Sequence, residues 1–146
     1  MKTTVEEILQ KKGREVWTIS PNATVMDALK LMAEKEIGAL VVTHEDEVAG
    51  IISERDYARK VILKNRASAT TKVKEIMTEK VYYVGPKTTV DECLALMTQK
   101  SIRHLPVLKN GDLVGLISIG DVVKAVIESQ ETEIRQLSDY ITGKYI

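Results

Sequence analysis

Ser20-Pro21-Asn22-Ala23-Thr24-Val25-Met26-Asp27-Ala28-Leu29-Lys30-Leu31-Met32 returns further along the chain as Gly85-Pro86-Lys87-Thr88-Thr89-Val90-Asp91-Glu92-Cys93-Leu94-Ala95-Leu96-Met97. The same shift of 65 residues carries Ile37 onto Ile102, Leu40 onto Leu105 and Val42 onto Val107. It also carries Gly50-Ile51-Ile52-Ser53-Glu54-Arg55-Asp56 onto Gly115-Leu116-Ile117-Ser118-Ile119-Gly120-Asp121. No gap is needed over that stretch. The chain is an internal repeat, and the repeated unit governs the fold.

Within the first repeat, residues 16–20 are β-rich and stop at Pro21. Thr24 with Asp27 three residues on reads as a capping box, and Val25, Ala28, Leu29 and Met32 follow at helical spacing. Residues 39–43 and 48–53 read as a hairpin closed over His44-Glu45-Asp46-Glu47, and a last helix spans about residues 54–64, burying Ala58, Val61 and Ile62. The second repeat follows the same order, with Asn110-Gly111 as a strong hairpin-turn signal. This predicts an α/β (α+β) fold of two βαββα units, residues 5–64 and 73–128, joined by a polar linker at 65–72. Val5, Ile8 and Leu9 form a short helical start that recurs as Val73, Ile76 and Met77. Residues 129–146 are expected to form a C-terminal helix and tail, with Ile134, Leu137 and Ile141 at spacing that places them on one helical face.

Composition narrows the function. Hydrophobic residues are 44% and charged residues 29% of the 146, a globular balance. With no Phe and one Trp, the core rests on Val, Ile, Leu, Ala and Met. Each half alone sits near the size where burial is marginal, so the halves should fold as one unit. Twenty-one basic residues balance 21 acidic ones, which argues against a nucleic-acid binder that works by neutralising phosphates. No apolar run approaches the length of a membrane span, and residues 1–7 have no signal-peptide core. One cysteine excludes an internal disulfide framework and fits a reducing compartment, so a cytoplasmic protein is expected.

Chemistry concentrates where a strand meets a helix through Ser-x-x-Asp: Ser53 with Asp56, and Ser118 with Asp121. That pattern starts a helix by capping alone. It also presents a helix N-terminus to a phosphate and an acidic residue to ribose hydroxyls. Arg55 adds a guanidinium. Arg103-His104-Leu105-Pro106-Val107 supplies two further donors in the second repeat where the first has Gly38-Ala39-Leu40. Pro106 within a strand implies an edge or irregular position. Cys93 aligns with Ala28 and reads as a core residue, and His44 as a solvent-facing one. The two histidines and one cysteine have no metal-ligand spacing, and no nucleophile, metalloprotease or P-loop motif is present, so neither a metal nor catalysis is expected.

The helix Thr-Val-x-(Asp/Glu)-(Ala/Cys)-Leu, the strand Arg-His-Leu-Pro-Val and the ending Gly-(Ile/Leu)-Ile-Ser-x-x-Asp together resemble the CBS domain (the cystathionine β-synthase motif). Two in tandem resemble a CBS pair, or Bateman module, over roughly residues 5–127. The resemblance implies two units packed about a pseudo-two-fold axis, with two clefts that take adenosine-containing ligands. AMP is the first expectation, with ADP, ATP, NAD or NADH, and S-adenosylmethionine as alternatives. Carried onto this sequence, Asp56 with Ser53 serves one cleft and Asp121 with Ser118 the other, each aspartate on ribose. The backbone at Thr18, Ile19 and Ser20, at Tyr83, Val84 and Gly85, and along Gly38, Ala39 and Leu40 or Leu105 and Pro106 reads adenine. Arg55, Arg103 and His104 are expected to converge near the centre and make the clefts unequal.

The resemblance also implies a regulatory sensor that acts through a partner protein the sequence does not name. The competing reading is an oligomerisation scaffold without a physiological ligand. A homodimer is expected through the helices that follow each Ser-x-x-Asp, whose Tyr57, Val61, Val122 and Val126 suggest apolar surface beyond what one sheet covers.

Overall fold

Threonine caps open the two matching helices, as the spacing predicts. Thr24 Oγ1 accepts from the Asp27 N–H at 3.1 Å while the Asp27 carboxylate accepts from the Thr24 N–H at 3.2 Å. Thr89 Oγ1 accepts from the Glu92 N–H at 3.2 Å. The computed structural model describes residues 3–130. Over them the chain runs α1 (Val5–Lys12), β1 (Thr18–Ile19), α2 (Val25–Lys35), β2 (Ala39–His44), β3 (Glu47–Ser53) and α3 (Glu54–Tyr57). A π-helical turn (Ala58–Ile62) extends α3. Then come α4 (Val73–Ile76), α5 (Val90–Lys100), β4 (His104–Lys109), β5 (Asp112–Ser118) and α6 (Ile119–Ser129). The fold is α/β, two repeats with small sheets, as expected. The C-terminal helix anticipated beyond residue 130 lies outside the described residues.

Both hairpins turn on two residues in the left-handed region: Glu45 and Asp46 (φ 51° and 64°), Asn110 and Gly111 (φ 52° and 83°). That geometry matches the twist of the flanking strands. Each hairpin shifts register at the same repeat position, between Val42 and Thr43 and between Val107 and Leu108. The first strand differs between repeats. β1 pairs in parallel with β2 through Thr18–Val41 and Ile19–Val42, and the Val41 N–H donates to the Trp17 carbonyl at 3.4 Å. Pro106, the counterpart of Val41, has no N–H. The second repeat therefore keeps a single parallel bridge, Val84–Val107, and a two-stranded sheet. The β-rich stretch at 16–20 is accordingly shorter than predicted, and its twin is reduced to one bridge.

The repeats exchange their opening helices. The N–H groups of Val5 and Glu6 donate to the carbonyls of Thr88 and Pro86, while those of Val73 and Lys74 donate to the carbonyls of Ala23 and Pro21. Val90 N–H reaches Thr3 O, and Val25 N–H reaches Thr71 O, both at 2.8 Å. These matched sets state the pseudo-two-fold relation in hydrogen bonds. One core joins Val5, Ile8 and Leu9 to Val90, Cys93, Met97, Leu105, Val107, Ile117 and Val122. The other joins Val73 and Ile76 to Val25, Ala28, Met32, Leu40, Val42, Ile52 and Val61. Neither repeat completes its core alone, so the two fold together. Residues 65–72 are drawn in as well: Met26 N–H donates to Ser68 O, and Thr71 is buried.

The helices after each Ser-x-x-Asp correct the predicted faces. Val61 and Val122 are fully buried core residues, and Val126 packs against the core. Of the first helix's expected stripe only Val61 is buried; Ala58 is exposed and Ile62 is 56% exposed. On and just after these two helices, the large exposed apolar residues among those described are Ile62, Leu63, Val123 and Ile127. Three of these stand one position after a residue predicted to be surface, a rotation of about 100°. The stripe read as surplus surface is the stripe that packs.

Candidate functional site

Ser53 and Ser118 leave their strands in extended conformation (φ −127° and −108°) and cap the next helix. Ser53 Oγ accepts from the Asp56 N–H at 3.2 Å, and the Asp56 carboxylate accepts from the Ser53 N–H at 2.9 Å. The second corner matches it: the Asp121 N–H donates to Ser118 Oγ at 3.2 Å, and the Ser118 N–H donates to Asp121 Oδ2 at 2.8 Å. The first residue of each helix is also engaged, Glu54 N–H on Gly38 O at 3.1 Å and Ile119 N–H on Arg103 O at 2.8 Å. Two first-turn donors are thus satisfied internally at each corner.

Each aspartate also holds one lysine, and the two lysines come from different places. Lys60 lies one turn beyond Asp56 and donates to Asp56 Oδ1 at 3.0 Å and to Ile76 O at 2.9 Å. Its counterpart is Ala125. In the second corner the exchanged helix α1 brings Lys12, which donates to Asp121 Oδ2 at 2.6 Å and to Leu116 O at 2.9 Å. Thr78 Oγ1 adds a long contact to Asp56 Oδ1 at 3.5 Å.

A cleft of about 470 Å³ opens at the first corner, and both repeats line it. The first repeat gives Gly38, Ser53, Glu54, Arg55, Asp56, Arg59 and Lys60. The segment after α4 gives Thr78, Lys80, Val81 and Tyr82, and the second repeat gives Ser101, Ile102, Arg103 and His104. The structure so brings together six of the sequence-predicted site residues: Gly38, Ser53, Arg55, Asp56, Arg103 and His104. Asp121 lines a smaller groove of about 240 Å³ between α1 and α6, with Lys11, Lys12 and Lys124. Thr18, Ile19, Ser20, Ala39, Tyr83, Val84, Pro106 and Ser118 line neither concavity, and Leu40 and Leu105 are fully buried in the cores.

Several lining residues escaped the sequence reading. Arg59 and Lys60 stand three and four residues past Asp56, on the same helical face, and that spacing was the available signal. Val81 and Tyr82 lie just before Tyr83, Val84 and Gly85, the stretch to which the resemblance assigns the reading of adenine. Tyr82 lies between Lys80 and Lys100, 5.6 and 5.4 Å from its ring centre. The Lys80 hydrogen bond, with help from Lys100, lowers its phenol pKa. The equivalent pair in the first repeat is Lys35 over Trp17 at 4.3 Å.

His104 is one of the two further donors expected at this strand, and its surroundings favour the uncharged imidazole. Burial lowers its imidazole pKa, Asp121 opposes that, and Lys12 and Arg103 add to it. At neutral pH it is an uncharged hydrogen-bonding group. Cys93 is buried, and burial raises its thiol to about 11, as a core residue requires. Among the described residues, no group of three His, Cys, Asp or Glu side chains is placed to hold a metal ion. Among those residues no helix is long and apolar enough to cross a membrane.

Known proteins resemble this chain in sequence and fold. A CBS domain-containing mitochondrial protein of Arabidopsis thaliana, CBSX3, is 43% identical over 98% of this chain and 74% of its own length. A solved CBS-domain protein from Burkholderia ambifaria is 59% identical and superimposes with a TM-score of 0.85, covering 88% of this chain and 96% of that one. The CBS domain pair of protein MJ0100, solved with 5′-methylthioadenosine and S-adenosyl-L-methionine, is 25% identical at a TM-score of 0.79, covering 88% and 99%. The CBS domain profile matches twice, at residues 5–63 and 73–128. With both halves matched and each closed by the other's opening helix, the chain belongs to the CBS domain family and is a CBS domain pair.

Proposed function

We propose that this CBS pair is a regulatory module that binds an adenosine-containing nucleotide between its repeats and reports occupancy to a partner protein. The supporting observation is the convergence of Arg55 and Asp56 from one repeat with Arg103 and His104 from the other in a single cleft. In this reading Asp56 accepts the ribose hydroxyls, Val81, Tyr82 and Ile102 offer apolar surface to the base, and the guanidinium groups face phosphate. A ligand held by both repeats stabilises one relation between them, and that differential affinity is what a sensor needs. The role is binding rather than catalysis, and the expected compartment is the cytoplasm, where a single buried thiol needs no oxidising surroundings.

We further propose a homodimer formed through the helices after the two corners. Ile62, Leu63, Val123 and Ile127 are 56, 75, 44 and 53% exposed there, an apolar surface suited to a second copy. Light scattering at tens of micromolar should find a dimer, and a monomer would reject this arrangement.

Thermal unfolding against AMP, ADP, ATP, NAD, NADH and S-adenosylmethionine tests the ligand reading. A true ligand at 100 times its Kd should stabilise the fold by about 2.7 kcal/mol. No stabilisation by any of them would favour the scaffold reading.

A further inference from the structure

Five arginines lie among the described residues, and they divide by place. Arg14 pairs with Glu6, and Arg66 pairs with Glu75 at 2.6 Å. Arg55, Arg59 and Arg103 all line the large cleft, and among the described residues none of them meets a carboxylate within 4.0 Å. The cleft has two acidic residues, Glu54 and Asp56, and Asp56 is already engaged by Lys60. Counting Lys80, four cations stand there against the one carboxylate of Glu54. Arg55 and Arg59 are also four residues apart, where like charges on one helical face repel. In a chain with equal numbers of acidic and basic residues, this local excess is a property of the site.

The repeat supplies an internal control. The positions matching Arg55, Arg59 and Arg103 in the other half are Gly120, Lys124 and Gly38. Nothing in the shared frame needs an arginine, since both corners fold with the same caps. The three guanidinium groups come from two repeats and are gathered only at the first cleft. Guanidinium is the side chain suited to forked hydrogen bonds with phosphate oxygens.

We infer that the first cleft selects its ligand by phosphate count, taking an adenine nucleotide with two or more phosphates in preference to a monophosphate or an uncharged nucleoside. The inference rests on the nucleotide reading above and adds the direction of the phosphate chain: nucleoside at Asp56, phosphates at Arg55, Arg59 and Arg103. A cationic sulfonium nucleoside is disfavoured at the same site by charge.

Calorimetry on the full chain at fixed ionic strength, with a chelator to exclude magnesium, tests this with adenosine, AMP, ADP, ATP and inorganic triphosphate. Affinity should rise from adenosine to ATP by roughly three- to tenfold per added phosphate, a range set by exposed charge-assisted bonds. Added salt should weaken ATP more than AMP. The combined variant R55Q, R59Q and R103Q should flatten the series to the level of adenosine. All three side chains are exposed, so its melting temperature should stay near that of the parent. Equal affinity for adenosine, AMP, ADP and ATP would overturn selection by phosphate while leaving the adenosine reading intact. Binding of inorganic triphosphate as tight as ATP, with none of adenosine, would support the arginine clamp and overturn the adenosine reading. No binding of any probe would overturn both.

Discussion

The corners at Asp56 and Asp121 share a frame and differ in what surrounds it. Each serine accepts its aspartate's N–H at 3.2 Å, and each aspartate accepts its serine's N–H at 2.8–2.9 Å. The lysine at Asp56 comes from the helix just beyond it, whereas the lysine at Asp121 comes from α1, more than 100 residues earlier. One helix continues through a π-helical turn that carries Arg59 and Lys60; the other is regular α-helix. Duplication supplied two identical caps. Arg55, Arg59 and Arg103, whose counterparts are Gly120, Lys124 and Gly38, then give one of them a large cationic cleft, while the other faces a narrow groove beside α1.

The exchange itself predicts the largest asymmetry. A Cβ at Gly50 would lie 2.8 Å from Met77 Sδ and 2.9 Å from the Thr78 carbonyl oxygen. At Gly115 it would meet only the Leu9 side chain, at 2.7 and 2.8 Å. Backbone yields less than a leucine methyl. Gly50→Ala should cost about 2–3 kcal/mol and Gly115→Ala about 1 kcal/mol in urea unfolding, both within the overpacking range. Equal costs would mean that the two docked segments give way alike.

A smaller effect is expected at the first strands. Val41→Pro removes the N–H that holds Trp17 and should destabilise by about 1–2 kcal/mol. Pro106→Val supplies the missing donor opposite Tyr82 and should slow amide exchange near residues 82–84, with a stability change below about 1 kcal/mol. Unchanged exchange would show that the proline is not what shortens the second sheet.

The repeat, the helices and the hairpins were legible because capping, period and turn chemistry are local. The shared cleft was legible only in part. Asp56 and Arg55 lie in a motif, and Arg103 stood out because its counterpart is glycine. Lys12 and Tyr82 were not found, because which repeat faces which corner depends on the crossing of α1 and α4; Arg59 was missed although its spacing from Asp56 on one helix was a local signal. The helix faces were misread at Ala58 and Ile62, expected to be buried, and at Val122, expected to be surplus surface, because periodicity locates an apolar stripe without saying what covers it. Val61 and Val122 are covered by their own cores.

The smallest effect concerns pH. Burial lowers the His104 pKa, so between that value and the ordinary 6.5 the unfolded chain binds a proton that the folded chain does not. Its contribution to stability is therefore fully present above about pH 6.5, declines as pH falls through the lowered value, and is then constant. His104→Ala, which copies Ala39 of the first repeat, should remove that part of the acid dependence of the melting temperature. An identical pH profile in the variant would exclude His104 as its source.

The most direct test of one frame serving unequal sites is calorimetry of ADP binding to the parent chain, Asp56→Ala and Asp121→Ala, each checked for folding by its melting curve. Loss of the ribose contact should weaken the tight site by about 10- to 150-fold in Asp56→Ala, from roughly 1.5–3 kcal/mol for a hydrogen bond to a charged group. Asp121→Ala should leave that site within about twofold. Equal losses in both variants, or a loss confined to Asp121→Ala, would contradict the assignment of the nucleotide to the Asp56 cleft.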